Sequence, residues 1–226
     1  NEGLKMAVGQ YIAFVDDDDM WVDDKLQRQV DILDSNPEFG LVHGCCKVID
    51  GNGIETGEIT GRLRNPQRKH GYVFDDMVGN FTVMMPTPLM RRELIDKVGG
   101  FNLAVPAALE DVEFFSHLAF YTQFYYIDEP IALYRVHQNN ISKANFNYNY
   151  LPLMLFNMAD GLHRKKLLDK KRFIALRNRF LSRQVELAKD KKSGKVAFAN
   201  CWKMDPLFML NPKLALPLVK NTLSSK

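Results

Sequence analysis

The chain has 226 residues, 46% of them hydrophobic and 25% charged, the composition of one large globular domain or of a domain with an appendage. No apolar run reaches the ~20 residues that a membrane-spanning helix needs, and the three cysteines, with Cys45 beside Cys46, show no metal spacing and no disulfide framework, which points to a reducing, cytoplasmic setting. The net charge of +3 conceals a division, because residues 1–162 carry −10, residues 163–192 carry +9 and residues 193–226 carry +4, so an acidic body is followed by a basic arm.

Residues 1–9 (NEGLKMAVG) predict a short helix with Leu4, Met6, Ala7 and Val8 available for burial and Gly9 as its stop. Residues 11–15 (YIAFV) read as a strand of the fully buried, parallel kind. It runs straight into four carboxylates, Asp16, Asp17, Asp18 and Asp19, and then Trp21. Val22, Leu26, Val30 and Leu33 fall on one helical stripe that Asn36-Pro37 ends. Residues 39–49 and 54–60 flank Asp50-Gly51-Asn52-Gly53, a turn signal that predicts a hairpin.

Residues 88–101 give a strand end and a short helix closed by Gly99-Gly100. Residues 109–121 (LEDVEFFSHLAFY) predict a helix with acids in its first turn, and residues 123–127 and 131–137 predict two strands. From about Asn145 the pattern is helical to the end, with Phe173, Leu176, Phe180 and Leu187 on one face and Ile174 at its margin. Strands alternating with helices over the first 140 residues predict an α/β layer fold, with residues 1–142 as one domain and 143–226 as a helical, partly basic region.

Adjacent carboxylates repel, and more strongly beside a low-dielectric core than in open water. A solvated surface turn would tolerate Asp16 to Asp19, and so would a ligand site. The tract follows a strand's C-terminal end, where open α/β sheets bind ligands, and no Lys or Arg is interspersed. A hard divalent cation such as Mg2+ or Mn2+ takes carboxylate oxygens and leaves places for substrate phosphates.

Read together with three later segments, these residues resemble a known family. NEGLKMAVGQYIAFVDDDDMW (1–21) is similar to the segment N-x-G-x-x-x-A-x-G-x-Y-I-x-F-L-D-x-D-D-x-W of the inverting family 2 glycosyltransferases. VGGF (98–101), LEDVEF (109–114) and YRVHQNNIS (134–142) resemble, in the family's order, its G-G-F turn, its E-D motif and its Y-R-x-H-x-x-N-x-S segment. The resemblance covers roughly residues 1–142. It implies a GT-A-like (Rossmann-like) mixed α/β sheet flanked by helices, partial at the N-terminus and followed by a helical appendage. It further implies a metal-dependent inverting transfer of sugar from a nucleotide-sugar, with a UDP-sugar expected, to a hydroxyl of a glycan or lipid-linked acceptor in surface polysaccharide biosynthesis.

Carried over by residue, Asp16 and Asp18 are the outer positions of the DxD motif, which holds Mn2+ or Mg2+ on the donor diphosphate, and Asp18 is the more direct ligand. Asp17 would lie near the ribose, and Asp19 is structural. Asp111 would be the catalytic base, with Glu110 orienting it or the acceptor. His137 would bind metal or diphosphate, and Arg135 would steady phosphate. Trp21 reads as a core aromatic, and His43, His70, His117 and His163 match nothing in the family.

The basic segment 163–192 reads either as a packed helix with a solvated outer face or as a peripheral contact to an anionic membrane, where each basic side chain contributes ~1 kcal/mol. The acidic body and the lack of a stacking motif speak against nucleic acid. Two rival functions stand beside transfer: a non-catalytic glycan- or partner-binding module on the same fold, and another metal-dependent phosphoryl or nucleotidyl transferase. The family places a first sheet strand and a base-reading carboxylate ahead of the segment matched here, and nothing in this sequence matches either. The expectation is therefore a piece of a longer enzyme, or a chain completed by another, with an unpaired edge at residues 11–15 and an incomplete donor pocket.

Overall fold

A computed structural model describes residues 1–137, 140 and 145–223. They pack as two units, Asn1–Ala104 with Glu110–Lys143, and Val105–Leu109 with Ala144–Lys226. In the first unit the elements follow as α1 (Glu2–Met6), β1 (Tyr11–Ala13), β2 (Met20–Trp21), α2 (Lys25–Ser35), β3 (Phe39–Ile49), β4 (Glu55–Thr60), α3 (Phe74–Asn80), β5 (Leu89–Arg91), α4 (Leu94–Val98), α5 (Glu110–Tyr121) and β6 (Gln123–Arg135). Among the described residues the strands form one mixed sheet in the order β1-β5-β3-β6-β2, with β4 on β3. Strands β3 and β6 are parallel, and the other pairs are antiparallel.

Strand β3 is buried on both faces for almost its whole length, as its near-continuous apolar run requires. Leu33, Phe39, Val42, Leu89, Ile127 and Ile131 make a core cluster around it. At Gly44 a Cβ would stand 2.8 Å from Cγ1 of Ile131, so glycine lets β3 and β6 approach where their register shifts. The predicted hairpin forms: the Asp50 carboxylate accepts the N–H groups of Asn52 (2.8 Å) and Ile54 (2.9 Å), and Gly53 takes φ 85°. Gly99, at φ 76°, ends α4 as expected.

Four expectations are corrected by packing. Helix α1 stops at Met6 and buries nothing. Met6 and Val8 stay in solvent, and with one turn of helix there is too little surface to cover them. Strand β1 is three residues long, antiparallel to β5 and at the sheet's edge, and of its residues only Ile12 is buried. On α2 the fully buried side chains are Lys25, Gln29 and Leu33; Val22 and Val30 of the expected stripe pack partly buried against the core, but Leu26 points outward and a lysine points in. Residues 123–135 form one strand, not two, because bulges at β3 absorb Pro130 opposite Cys45.

The second unit holds a 3₁₀ turn (Phe146–Tyr150), α6 (Leu151–Arg164), α7 (Lys170–Leu187), α8 (Lys191–Met204), a second 3₁₀ turn (Pro206–Leu210) and α9 (Pro212–Leu223). Asp169 caps α7 by accepting the N–H of Arg172, and Asp190 with Ser193 forms a capping box for α8. The predicted face of α7 packs inward at Leu176 and Phe180, joined by Leu181 and Gln184. The three cysteines are free and buried. No helix among the described residues is long and apolar enough to cross a membrane.

Candidate active site

The acidic tract links edge strand β1 to β2. Because β2 pairs with β6, with Met20 opposite Leu133, the tract lies beside the end of β6. The N–H of Asp19 donates to the Asp16 carbonyl at 3.2 Å and tightens the tract into a turn. Asp19 is buried, and its Oδ1 accepts the backbone N–H of Arg135 at 2.8 Å. Asp18 stays half-buried, with its Oδ2 2.8 Å from His137 Nε2.

Arg135 clamps this corner from behind. Its Nε donates to the Asp18 carbonyl at 2.8 Å, and its Nη1 donates to the carbonyls of Asp50 (3.0 Å) and Gly51 (3.3 Å) in the β3–β4 turn. Asn140 completes the arrangement: its Nδ2 donates to the Arg135 carbonyl at 3.0 Å, and its Oδ1 accepts the His137 N–H at 2.5 Å. The side chain of Asn140 thus closes the turn that aims the imidazole at Asp18. The segment YRVHQNNIS contains Asn140 without marking it as a site residue; an asparagine three residues after the histidine is the signal for its turn-closing role.

The N-terminus of α5 reaches the same region through aromatic packing. Phe14, directly after β1, meets Phe101, Phe114 and Phe115 edge-on at 5.7, 6.1 and 6.1 Å, while Phe101 stacks on Phe114 at 4.3 Å. The Phe of the VGGF turn, the strand and the helix are therefore pinned together. Asp111 sits in the first turn of α5, where its Oδ1 accepts the N–H of Val112 at 2.7 Å.

Charge couples these pieces. Asp16 is exposed on one side, yet its carboxyl is raised above the usual range by desolvation on the other and then by Asp18, Asp17 and Glu110. Asp19 is pushed up to about 6, chiefly by burial and also by Asp18 and Asp16, against the opposing hydrogen bond from Arg135. Asp111 is also pushed up to about 6 by burial, with Glu110 and Asp16 adding to it and the Val112 N–H opposing. A helix N-terminus favours the ionised form; here desolvation wins.

Asp16, Asp18, Glu110, Asp111 and His137 are thus brought into one region, and Asp17 is exposed beside them. Arg135 is there too, with its fork turned onto backbone carbonyls. Trp21 is half-buried with the Lys25 ammonium 4.4 Å from its ring centre. His43 lies within the sheet unit, its Nε2 3.0 Å from the Lys69 carbonyl. His70 Nδ1 accepts the Tyr126 N–H at 3.3 Å. His163 Nδ1 lies 2.8 Å from the Leu168 carbonyl.

Among the described residues no three Asp, Glu, His or Cys side chains already surround one point as metal ligands. The donor set nonetheless suits a hard divalent cation, since the neighbours that raise Asp16 are all carboxylates. Such a set gains from a cation among its oxygens.

Residues 1–99 match the family model described as Glycosyl transferase family 2. TuaG of Bacillus subtilis, whose name assigns it to teichuronic acid biosynthesis as a glycosyltransferase, is 25% identical over 163 residues, covering 72% of this chain and 61% of that protein. The UDP-Glc:alpha-D-GlcNAc-diphosphoundecaprenol beta-1,3-glucosyltransferase WfgD of Escherichia coli is 28% identical over 96 residues, or 42% of this chain and 34% of that one. A crystal structure of S. aureus TarS, residues 1–349, matches with a TM-score of 0.60 at 15% identity, covering 98% of this chain and 66% of that one; at that identity the likeness shows the fold. The chain spans about half the length of the curated relatives it matches, 50%, 46% and 61%.

Proposed function

We propose, from the premise that this chain belongs to the family 2 glycosyltransferases and carries their GT-A-like mixed sheet with a helical C-terminal region, that it transfers a sugar from a nucleotide-sugar to a hydroxyl of a glycan or lipid-linked acceptor during surface polysaccharide synthesis. The observation that carries the reading is that two carboxylate groups far apart in sequence, the tract at Asp16 to Asp19 and the Glu110-Asp111 pair, are brought into one region by the packing of Phe14 on Phe101, Phe114 and Phe115. The names of TuaG and WfgD support a polysaccharide product, a UDP-sugar donor and a lipid-linked acceptor. We place the reaction on the cytoplasmic side.

Asp111 is the base. A carboxyl pushed up to about 6 is ionised at neutral pH yet basic enough to accept a hydroxyl proton. As it takes that proton, the acceptor oxygen forms its bond to the anomeric carbon, and the bond to the diphosphate oxygen breaks on the opposite face, so configuration inverts. Glu110 holds the acceptor or Asp111 in place. Asp18, Asp16 and His137 would hold Mn2+ or Mg2+, which when bound supplies positive charge to the leaving diphosphate. Asp17 serves the ribose. Arg135 acts by fixing the tract through the Asp18 carbonyl rather than by touching phosphate.

The test measures nucleoside diphosphate release from a panel of nucleotide-sugars with Mn2+, in wild type and in Asp18→Ala. Donor-dependent release that Asp18→Ala abolishes is the expected result. Release of pyrophosphate or monophosphate instead, or undiminished turnover in a folded Asp18→Ala variant, would refute the assignment.

A further inference from the structure

In the helical unit the apolar stripe of α7 is buried at Leu176, Phe180 and Leu181, and the large apolar side chains that the strongly basic segment 163–192 exposes are Leu167 and Ile174, seven residues apart and 52 and 36% exposed. Exposed apolar side chains gather elsewhere, at the turn between α8 and α9. Trp202, Leu207, Met209 and Leu210 are 53, 67, 40 and 79% exposed, and Leu216, one turn into α9, is 68% exposed. Leu207 and Leu210 stand three residues apart in the 3₁₀ turn, where such side chains eclipse on one face.

This turn is a folded structure. Phe208, between the two leucines, is buried edge-on against Phe198 at 5.5 Å. Asp205 accepts the N–H of Leu207 and Asn211 accepts that of Lys213, both at 3.1 Å. The apolar tip is therefore held outward. Its exposed charges are cationic, Lys203 and Lys213 in the turn and Lys220 one helical turn beyond Leu216. The acid of the turn, Asp205, pairs with Arg177 at 3.2 Å.

We propose that the α8–α9 turn is a membrane-docking surface, which seats Trp202, Leu207 and Leu210 among the headgroups of an anionic lipid leaflet while Lys203, Lys213 and Lys220 meet its phosphates. The sign of the charge selects the occupant. A second copy of this chain would set lysine against lysine, whereas an anionic surface complements the cluster. An indole with its apolar body and N–H tip suits the headgroup depth, and the patch is too short to span. The surface shares no residue with the carboxylate site and needs neither donor nor acceptor, so its test is independent of the transferase reading.

The experiment is co-sedimentation of the protein with vesicles of phosphatidylcholine, with or without phosphatidylglycerol, together with tryptophan emission. Wild type should bind the anionic vesicles with a blue shift that Trp202→Phe removes. Leu207→Ser with Leu210→Ser should weaken binding at least ~10-fold, because each removes buried apolar area, without lowering the melting temperature. Lys203→Gln with Lys213→Gln and Lys220→Gln should abolish the preference for anionic lipid. Lys170→Gln with Lys171→Gln on α7 should change binding less than ~2-fold, since neither belongs to the α8–α9 turn. No vesicle binding by wild type, unaltered binding by the leucine variant, or loss of binding only in the α7 variant would overturn the proposal. So would a leucine variant whose single change is from dimer to monomer.

Discussion

The sheet unit and the helical unit treat buried polar atoms differently. In the sheet unit Asp19 Oδ2, Trp21 Nε1, Lys25 Nζ, Gln29 Oε1, His43 Nδ1, Ser116 Oγ and Tyr126 Oη are buried without a hydrogen-bond partner among the described residues, and in the helical unit Arg177 Nε is. In the helical unit the buried Gln184 and Asn200 are joined: both donate to the Asn149 carbonyl, at 2.9 and 3.1 Å, and Asn200 also donates to Gln184 Oε1 at 3.1 Å. An unmet buried group costs ~1–3 kcal/mol. Native chains keep such costs mainly where function demands them. The sheet unit therefore carries most of these costs, with Asp19 of the acidic tract among them, and the helical unit leaves Arg177 Nε unmet.

The sharpest way to test that contrast is Asp111→Asn. Transfer should fall at least ~10²-fold, yet the melting temperature should rise, because burial raises Asp111 to about 6 and its ionised form opposes folding. In wild type the rate should be lost as pH falls through about 6, where the base becomes protonated. Near-normal transfer by the variant, or a lower melting temperature, would break the contrast at its centre.

In the helical unit the opposite change is expected. Asn200→Leu strands Gln184 Oε1 and should destabilise by ~1–3 kcal/mol in urea unfolding. A neutral result would mean that the network adds nothing. Lys25→Met should stabilise by ~1 kcal/mol, since it removes an amine with no hydrogen bond at the loss of one cation–π contact with Trp21. Burial lowers Lys25 to about 7, so the unfolded chain binds more protons between there and the ordinary lysine range. Wild-type stability should rise with pH across that window, and Lys25→Met should flatten the rise.

A further effect runs the other way at acid pH. Asp16, Asp19 and Asp111 are all raised, the latter two to about 6, so the folded chain binds more protons than the unfolded one above about pH 4. Their contribution should decline as pH rises from about 4 to about 6 and then level. A melting profile that instead climbs steadily through that range, in a variant with other acids unchanged, would show that the tract is fully relieved by its surroundings.

Much of this was legible in the chain. Local signals are strong at the Asp50–Gly53 hairpin turn, at the Gly99 stop and at the acid-led start of α5, because turn geometry and caps depend on residues within a few positions. The motif segments identified Asp16, Asp18, Asp111 and His137 as candidates on the same footing. What tertiary structure alone decided depends on partners distant in sequence. The run at residues 11–15 looks like a buried parallel strand, but pairing with β5 makes β1 an antiparallel edge. The stripe Val22, Leu26, Val30 and Leu33 reads as the buried face of α2, but packing on the sheet turns Lys25 inward and leaves Leu26 outside. Asn140 is one of several asparagines until β6 ends beside the tract, and Asp111 comes into the region of Asp16 where Phe14, Phe101 and Phe114 pack together. Hydrophobic periodicity states which side chains want burial, whereas register and pairing, set by the whole core at once, decide which of them get it and which charges are left facing one another.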